Sequence, residues 1–231
     1  MPVGIITGAS KGLGRALAEA LAALGWDLVL DARGGEALAG AATAVAAHGT
    51  RVRALPGDVT DAGHRAELVA AAAGLGGVDL VVNNASALGA EPLVRLARLP
   101  LEGLRRALEV NAVAALGLVQ EALPLLRESA AGTVIAVSSD AAAEAYETWG
   151  GYGASKAALD QLAAVLGAEE PGLRVWAVDP GDMATDLYAA AVPDDGDPRP
   201  APAGVVPAFL RLLAERPASG RFAAPALLEE R

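Results

Sequence analysis

The sequence predicts a doubly wound α/β protein, a three-layer sandwich in which a mostly parallel sheet of seven strands lies between helices on both faces. Three observations carry that prediction. Short apolar runs rich in Val, Ile and Leu are bounded by turn residues, as strands are. Those runs are apolar on successive residues, which is the mark of strands buried on both faces. They alternate along the chain with longer Ala/Leu runs of helical length, and such alternation builds a parallel sheet through right-handed crossovers.

In chain order, the strand-like runs are Val3–Thr7, Asp27–Ala32, Arg51–Leu55, Asp79–Asn83, Thr133–Ser138 and Arg174–Asp179. The helical runs between them are Leu13–Leu24, Gly35–Ala47, Asp61–Ala73, Leu101–Glu128 and Ala154–Ala168. Gly25 and Gly49 stand where helix C-caps fall. A short helix over Val205–Glu215 and a last strand near Arg221–Ala224 close a single domain spanning residues 1–231. The stretch Ala191–Pro207 breaks the pattern with Pro193, Asp194, Asp195, Asp197, Pro198, Pro200 and Pro202. Long loops in compact domains are lids or disordered segments. Its position favours a substrate lid over about residues 182–207.

Composition narrows the function. The chain has 231 residues, 53% of them hydrophobic and only 3% aromatic, so the core is built from Ala, Leu and Val. There is no cysteine, which excludes disulfides and thiolate chemistry. A net charge of −10 repels nucleic acid and anionic lipid, and neither is an expected partner. No apolar run approaches the roughly 20 residues of a membrane span. The chain enters a strand at once without a basic leader, so the expected location is cytoplasmic. His48 and His64 read as surface residues, and no metal-ligand constellation is present. Of 18 basic residues only Lys11 and Lys156 are lysine, and the only asparagines are Asn83, Asn84 and Asn111. In a chain biased so strongly toward arginine, the surviving lysines mark positions where a compact ammonium is needed.

The first strand runs into Thr7-Gly8-Ala9-Ser10-Lys11-Gly12-Leu13-Gly14 and then a helix. Glycines in that place allow a tight turn and close approach of backbone to a pyrophosphate, which the helix N-terminus attracts. A glycine-rich turn without a ligand is the bland alternative. The loop is not a Walker A motif, which ends in Gly-Lys-Ser/Thr.

The spacing Thr-Gly-x-x-x-Gly-x-Gly resembles the short-chain dehydrogenase/reductase family, in its single-domain branch, and further motifs extend the resemblance from about Val3 to Asp186. It implies a Rossmann-type fold. It implies that Gly8, Ser10, Lys11, Gly12, Leu13 and Gly14 cradle a dinucleotide, and that Asp58 and the Val59 amide hold its adenine. Asn83-Asn84-Ala85 follows the family pattern, with Ser86 in place of a glycine. Asn84 and Ala85, then Pro180, Gly181, Met183 and Thr185 after the sixth strand, complete the implied cofactor contacts. The implied catalytic set is Asn111, Ser139, Tyr152 and Lys156, with Tyr152 and Lys156 touching the cofactor as well.

Cofactor choice turns on the end of the second strand, Leu30-Asp31-Ala32-Arg33. An acid there meets a ribose 2′-OH and a base meets a 2′-phosphate. In NAD-using relatives the acid aligns with Ala32, whereas Arg33 and Lys11 align with phosphate-binding bases. Strand alternation points Asp31 to the other face; the alternative is that it reaches round to the ribose. The expected cofactor is therefore NADPH/NADP+, with NAD(H) disfavoured.

The expected activity is reversible reduction of a ketone or aldehyde to an alcohol. A tyrosine of pKa near 10 needs about 4 kcal/mol of preferential phenolate stabilisation to fall by about 3 units. Lys156 stands one helical turn from Tyr152 and supplies a cation on the same face. The resemblance implies that Ser139 hydrogen-bonds the substrate oxygen and that Asn111 holds a relay water. Ligands of such sheets bind beyond the strand carboxyl ends, which brings Ala87, Leu88, Glu144, Tyr146, Trp149, Met183, Leu187 and Tyr188 toward a small-molecule carbonyl substrate. Tyr146 and Trp149 form an apolar wall or simply pack their own loop. The helices Leu101–Glu128 and Ala154–Ala168 are expected to form a homodimer interface. The ending Phe222-Ala223-Ala224-Pro225 lacks the Asp-Gly-Gly of many tetrameric relatives. Two other functions share these features. One is a non-catalytic NADP(H) sensor. The other is a sugar-nucleotide epimerase or dehydratase, which needs a second domain and a different glycine loop.

Overall fold

The computed structural model describes residues 1–194 and 196–229. Its centre is a seven-stranded sheet in the order β3-β2-β1-β4-β5-β6-β7, every neighbouring pair parallel. The strands are β1 (Val3–Ile6), β2 (Asp27–Ala32), β3 (Val52–Pro56), β4 (Leu80–Asn83), β5 (Thr133–Val137), β6 (Arg174–Asp179) and β7 (Gly220–Ala223). Each differs from the sequence expectation by one residue or less at either end, within the fraying of any boundary.

Alternation along the strands splits the core into two layers. Ile6, Leu30, Val82, Ile135 and Val178 face one side. There they meet α1 (Gly12–Ala23), α2 (Gly35–Ala46), α8 (Val206–Glu215) and α9 (Ala224–Glu229). Ile5, Val29, Val81, Val134 and Ala177 face the other side. Their partners are α3 (Ala62–Leu75), α5 (Ala114–Glu128) and α6 (Gly150–Glu169). With few aromatics, these layers close on Ala and Leu. Trp176 and Phe209, both fully buried, are exceptions, the Trp176 indole N–H donating to the Pro217 carbonyl at 3.2 Å.

The expected helix Leu101–Glu128 is continuous but not uniform. It comprises α4 (Leu101–Leu108), a π-helical turn over Glu109–Val113 and α5. By length and mean hydropathy this run is apolar enough to cross a membrane. Here Leu118, Val119, Ala122 and Leu126 pack into the core beside α3. The helix expected over Ala154–Ala168 begins earlier, at Gly150, and so contains both Tyr152 and Lys156.

One expectation is refined and one corrected. Between the last residue of α7 (Asp186–Ala191) and the start of α8 at Val206, the stretch Ala191–Pro207 holds a 3₁₀ turn over Pro202–Gly204; α7, which the sequence pattern did not mark, lies just before it, capped by the Thr185 hydroxyl accepting from the Tyr188 N–H. Thr185 is a good N-cap because its side-chain oxygen satisfies an otherwise orphaned amide. Asp195 of that segment lies outside the described residues. His64, read as a surface residue, is only 8% exposed, while His48 is exposed. Asp31 explains the difference. Its parity on β2 sends the carboxylate toward α3, where it meets His64 Nε2 at 2.7 Å.

Candidate active site

A cavity of about 840 Å³ opens along the carboxyl ends of the strands. One end is built by the loop after β1. The Asn84 side chain donates to the carbonyls of Thr7 and Gly8, at 2.8 and 3.2 Å, which ties β4 to this loop. The Thr7 hydroxyl accepts from the amides of Asn84 and Ala85, both at 3.0 Å. Gly14 has no room for a side chain: a Cβ there would lie 2.6 Å from the Gly8 carbonyl oxygen and 2.5 Å from Asn84 Nδ2. Gly8 adopts φ +65°, a conformation that favours glycine. The loop therefore leaves bare backbone at the start of α1, the arrangement that receives phosphate. Ser10, Lys11, Gly12 and Leu13 line the cavity; Gly14 lies behind them, fixing the loop's shape.

Arg33, exposed at the end of β2, lines the same end and makes no ion pair among the described residues. Lys11 is engaged: its ammonium lies 2.6 Å from the carboxylate of Asp186 on α7. Asp58 and Val59 line the wall after β3. Burial works against ionisation of Asp58, but the Thr60 amide, the Arg106 guanidinium and the Thr60 hydroxyl together hold its carboxyl down at about 2. Arg106, which comes from α4 and contacts Asp58 at 2.8 Å, was not legible as a site residue.

At the other end stand Ser139, Tyr152 and Lys156, all lining the cavity. Tyr152 is 6% exposed and packs edge-on against Trp149, their ring centroids 5.7 Å apart. Lys156, 1% exposed, places its ammonium 5.6 Å from the centre of the Tyr152 ring and donates to the Val137 carbonyl at 2.7 Å. Burial pulls Lys156 down to about 8, against the attraction of Asp160. Burial also pushes the Tyr152 phenol well above its usual range. The carboxylates of Asp179 and Asp140 push the same way, while the Ser86 and Ser139 hydroxyls oppose them. Ser139 caps the 3₁₀ turn Asp140–Ala142, accepting from the Ala141 amide at 3.2 Å and donating to Asp140 at 3.0 Å.

Asn111 sits in the π-helical turn, away from the cavity lining. Its amide nitrogen donates to the Ala87 carbonyl and the Ser155 hydroxyl, at 2.9 and 2.7 Å, and its oxygen accepts from the Ala87 amide at 2.8 Å. It thus joins the segment after β4 to α6, one residue before Lys156. Pro180, Gly181, Met183 and Thr185 line the cavity after β6, with Leu187 and Tyr188 from α7. Arg199 stacks over the Tyr188 ring at 5.1 Å and donates to its hydroxyl at 2.8 Å, so the proline-rich segment is fastened to α7. Trp149 and Leu88 also reach the cavity. Tyr146 does not: it is 44% exposed, its hydroxyl turned toward Asp140 and Glu144, whose charges raise it to about 12.

One further residue joins the site from the far end of the chain. Arg221 on β7 contacts Asp160 at 3.0 Å, the Ser139 carbonyl at 2.9 Å and Asp179 at 3.5 Å. A glycine-lined phosphate cradle at one end of a sheet-top cavity, and a buried tyrosine–lysine pair at the other, define a nucleotide-dependent oxidoreductase.

The comparisons with known proteins make this specific. Residues 2–196 match the short chain dehydrogenase family model, and the chain belongs to that family. It is an NAD(P)-dependent dehydrogenase/reductase. Bovine sepiapterin reductase is 35% identical over 208 residues, covering 84% of this chain and 77% of the relative. A glycine betaine reductase of Emericella nidulans is 35% identical over 204 residues; the match covers 85% of this chain but only 16% of that much longer protein. An alcohol dehydrogenase from the archaeon Thermococcus sibiricus, solved with 5-hydroxy-NADP, superposes with a TM-score of 0.87 at 28% identity, covering 96% of this chain and 95% of that one.

Proposed function

We propose that this enzyme uses NADPH to reduce a ketone or aldehyde to an alcohol, with Tyr152 as proton donor. The observation that carries the reading is the placement of Tyr152 and Lys156 together at the cavity end opposite the phosphate cradle. The cradle suits a dinucleotide because Gly8 and Gly14 let the loop close tightly on Asn84 and Ala85, which leaves backbone bare at the start of α1. The 2′-phosphate falls to Arg33, the cavity-lining base at the end of β2, which has no ion pair among the described residues, and a competing negative charge draws Lys11 away from Asp186. NADPH, once bound, supplies a hydride to the carbonyl carbon.

The chain's own residues manage the proton. A phenol pushed up by burial is an acid that stays protonated until a substrate oxygen becomes basic enough to take the proton. The Lys156 ammonium then stabilises the phenolate left behind. Asn111 acts from behind, holding α6 against the segment after β4. Trp149, Leu187 and Tyr188 wall the substrate end, and α7 with the segment fastened to it by Arg199 serves as the lid.

The test is NADPH consumption against a panel of ketones and aldehydes, wild type beside Tyr152→Phe. Turnover that Tyr152→Phe abolishes, with NADPH affinity intact, supports the reading. Substantial activity in Tyr152→Phe refutes it. NADPH binding without turnover across the panel favours a sensor.

A further inference from the structure

Where the family places a glycine after Asn-Asn-Ala, this chain has Ser86. Its Oγ is buried, lines the same cavity as Tyr152 and Ser139, and lies near enough to the phenol to favour phenolate, yet makes no well-formed hydrogen bond among the described residues. A buried hydroxyl left unpartnered is costly, and it invites a functional explanation. Ser139, the hydroxyl expected to serve the reacting oxygen, is already committed. Its proton goes to Asp140 at 3.0 Å and its lone pair takes the Ala141 amide at 3.2 Å. Both the Ser86 and Ser139 hydroxyls act on the phenol, but Ser139 is shared with Asp140 and the Ala141 amide, whereas Ser86 has no well-formed competing hydrogen bond among the described residues. A hydrogen bond donated from there favours phenolate, against burial and the carboxylates of Asp179 and Asp140.

We propose that Ser86 is a further catalytic residue of this enzyme, donating its hydroxyl hydrogen to the Tyr152 oxygen as that oxygen gives up its own proton. In the reducing direction the Tyr152 O–H bond breaks and the proton passes to the substrate oxygen, whose carbon receives the hydride of NADPH. The phenolate then carries the charge, and Ser86 shares it with Lys156. In the oxidising direction the same bond stabilises the base that accepts the alcohol proton. The inference rests on Tyr152 being the proton donor. It adds a second donor beside Ser139, whose own hydroxyl is shared with Asp140.

The experiment compares wild type, Ser86→Ala, Ser86→Thr and Tyr152→Phe in NADPH-dependent reduction of para-nitrobenzaldehyde, and of the best substrate from the carbonyl panel, across pH. Residue 86 is outside the left-handed backbone region, so alanine fits without strain. A lost hydrogen bond to a developing charge corresponds to about one pKa unit, or about tenfold. Ser86→Ala is therefore expected to lower kcat about tenfold and to move the alkaline limb of the kcat profile up by about one pH unit. KM for NADPH is expected to stay put, and Ser86→Thr, which keeps a hydroxyl, to retain most of the wild-type rate. An unchanged rate and profile in Ser86→Ala, beside an inactive Tyr152→Phe, overturns the role of Ser86 and leaves the tyrosine reading standing. A change confined to KM for NADPH overturns it too, by assigning Ser86 to the cofactor. An active Tyr152→Phe removes the reading on which the inference rests.

Discussion

Replacing Arg221 by methionine tests whether the last strand organises the active site. Arg221 ties together three pieces of chain at the strand ends: Asp160 on α6, the carbonyl beside the Ser139 side chain, and Asp179 at the end of β6. Methionine keeps much of the apolar stem and removes the charge. A hydrogen bond to a charged group contributes about 1.5–3 kcal/mol when buried. Arg221 is 37% exposed, though Asp160 and Asp179 are only 16% and 11% exposed, so solvent screening reduces each contact to about 1 kcal/mol. The two carboxylate contacts together come to about 2 kcal/mol at neutral pH. In a chain of this size that lowers Tm by roughly 4–8 °C. The pH dependence has a definite sign. Burial already raises Asp179 above the usual carboxylate range, so ionising it destabilises the fold as pH rises through its folded value. Without Arg221 that penalty grows. The difference between wild type and Arg221→Met is therefore largest at neutral pH and shrinks as acid protonates Asp179. Differential scanning calorimetry from pH 4 to 8 (a range about the carboxylate and histidine values) reads it. A Tm within about 1 °C of wild type throughout would refute the argument.

Two further substitutions probe the ends of the cavity. Arg33→Asp exchanges the cation at the end of β2 for an anion and is expected to lower kcat/KM with NADPH about a hundredfold, while NADH improves or stays level; equal losses with both cofactors would count against Arg33 as the phosphate ligand. Lys156→Met is expected to abolish turnover yet raise Tm at neutral pH. Burial holds Lys156 near 8, so below that value the folded state bears a charge it disfavours, a penalty relieved only as pH rises toward the unfolded value. Removing it recovers up to about 3 kcal/mol, less the loss of the Val137 contact, and a lower Tm for Lys156→Met contradicts this account.

The sheet was legible because each strand is apolar on successive residues, and the phosphate loop because glycines flank a strand end. The tyrosine–lysine pair was legible from its spacing and from the scarcity of lysine. What the sequence concealed depends on distance along the chain. Asp31 and His64 are 33 residues apart, and neither carries a local signal that it is buried. Arg106 and Arg221 are two arginines among many, and only the fold brings them to Asp58 and Asp160. The helix α7 was missed because six residues are too few for a periodic pattern, and the prolines that follow it dominate the composition. Tyr146 was drawn into the site by its rarity, although its loop turns it to solvent.

The alternation at the end of β2 has a consequence for how this enzyme can be altered. Asp31 and Ala32 are neighbours in sequence, but one belongs to the α3 layer and the other to the α1 layer. The position that would select between cofactors and the position that bolts β2 to His64 are therefore two independent variables. They share backbone but no side-chain partner, and substitutions at sites without shared partners tend to add. An acid placed at residue 32 to welcome a ribose hydroxyl need not disturb the Asp31–His64 pair, and cofactor preference becomes a property that can drift while the scaffold beneath it stays fixed.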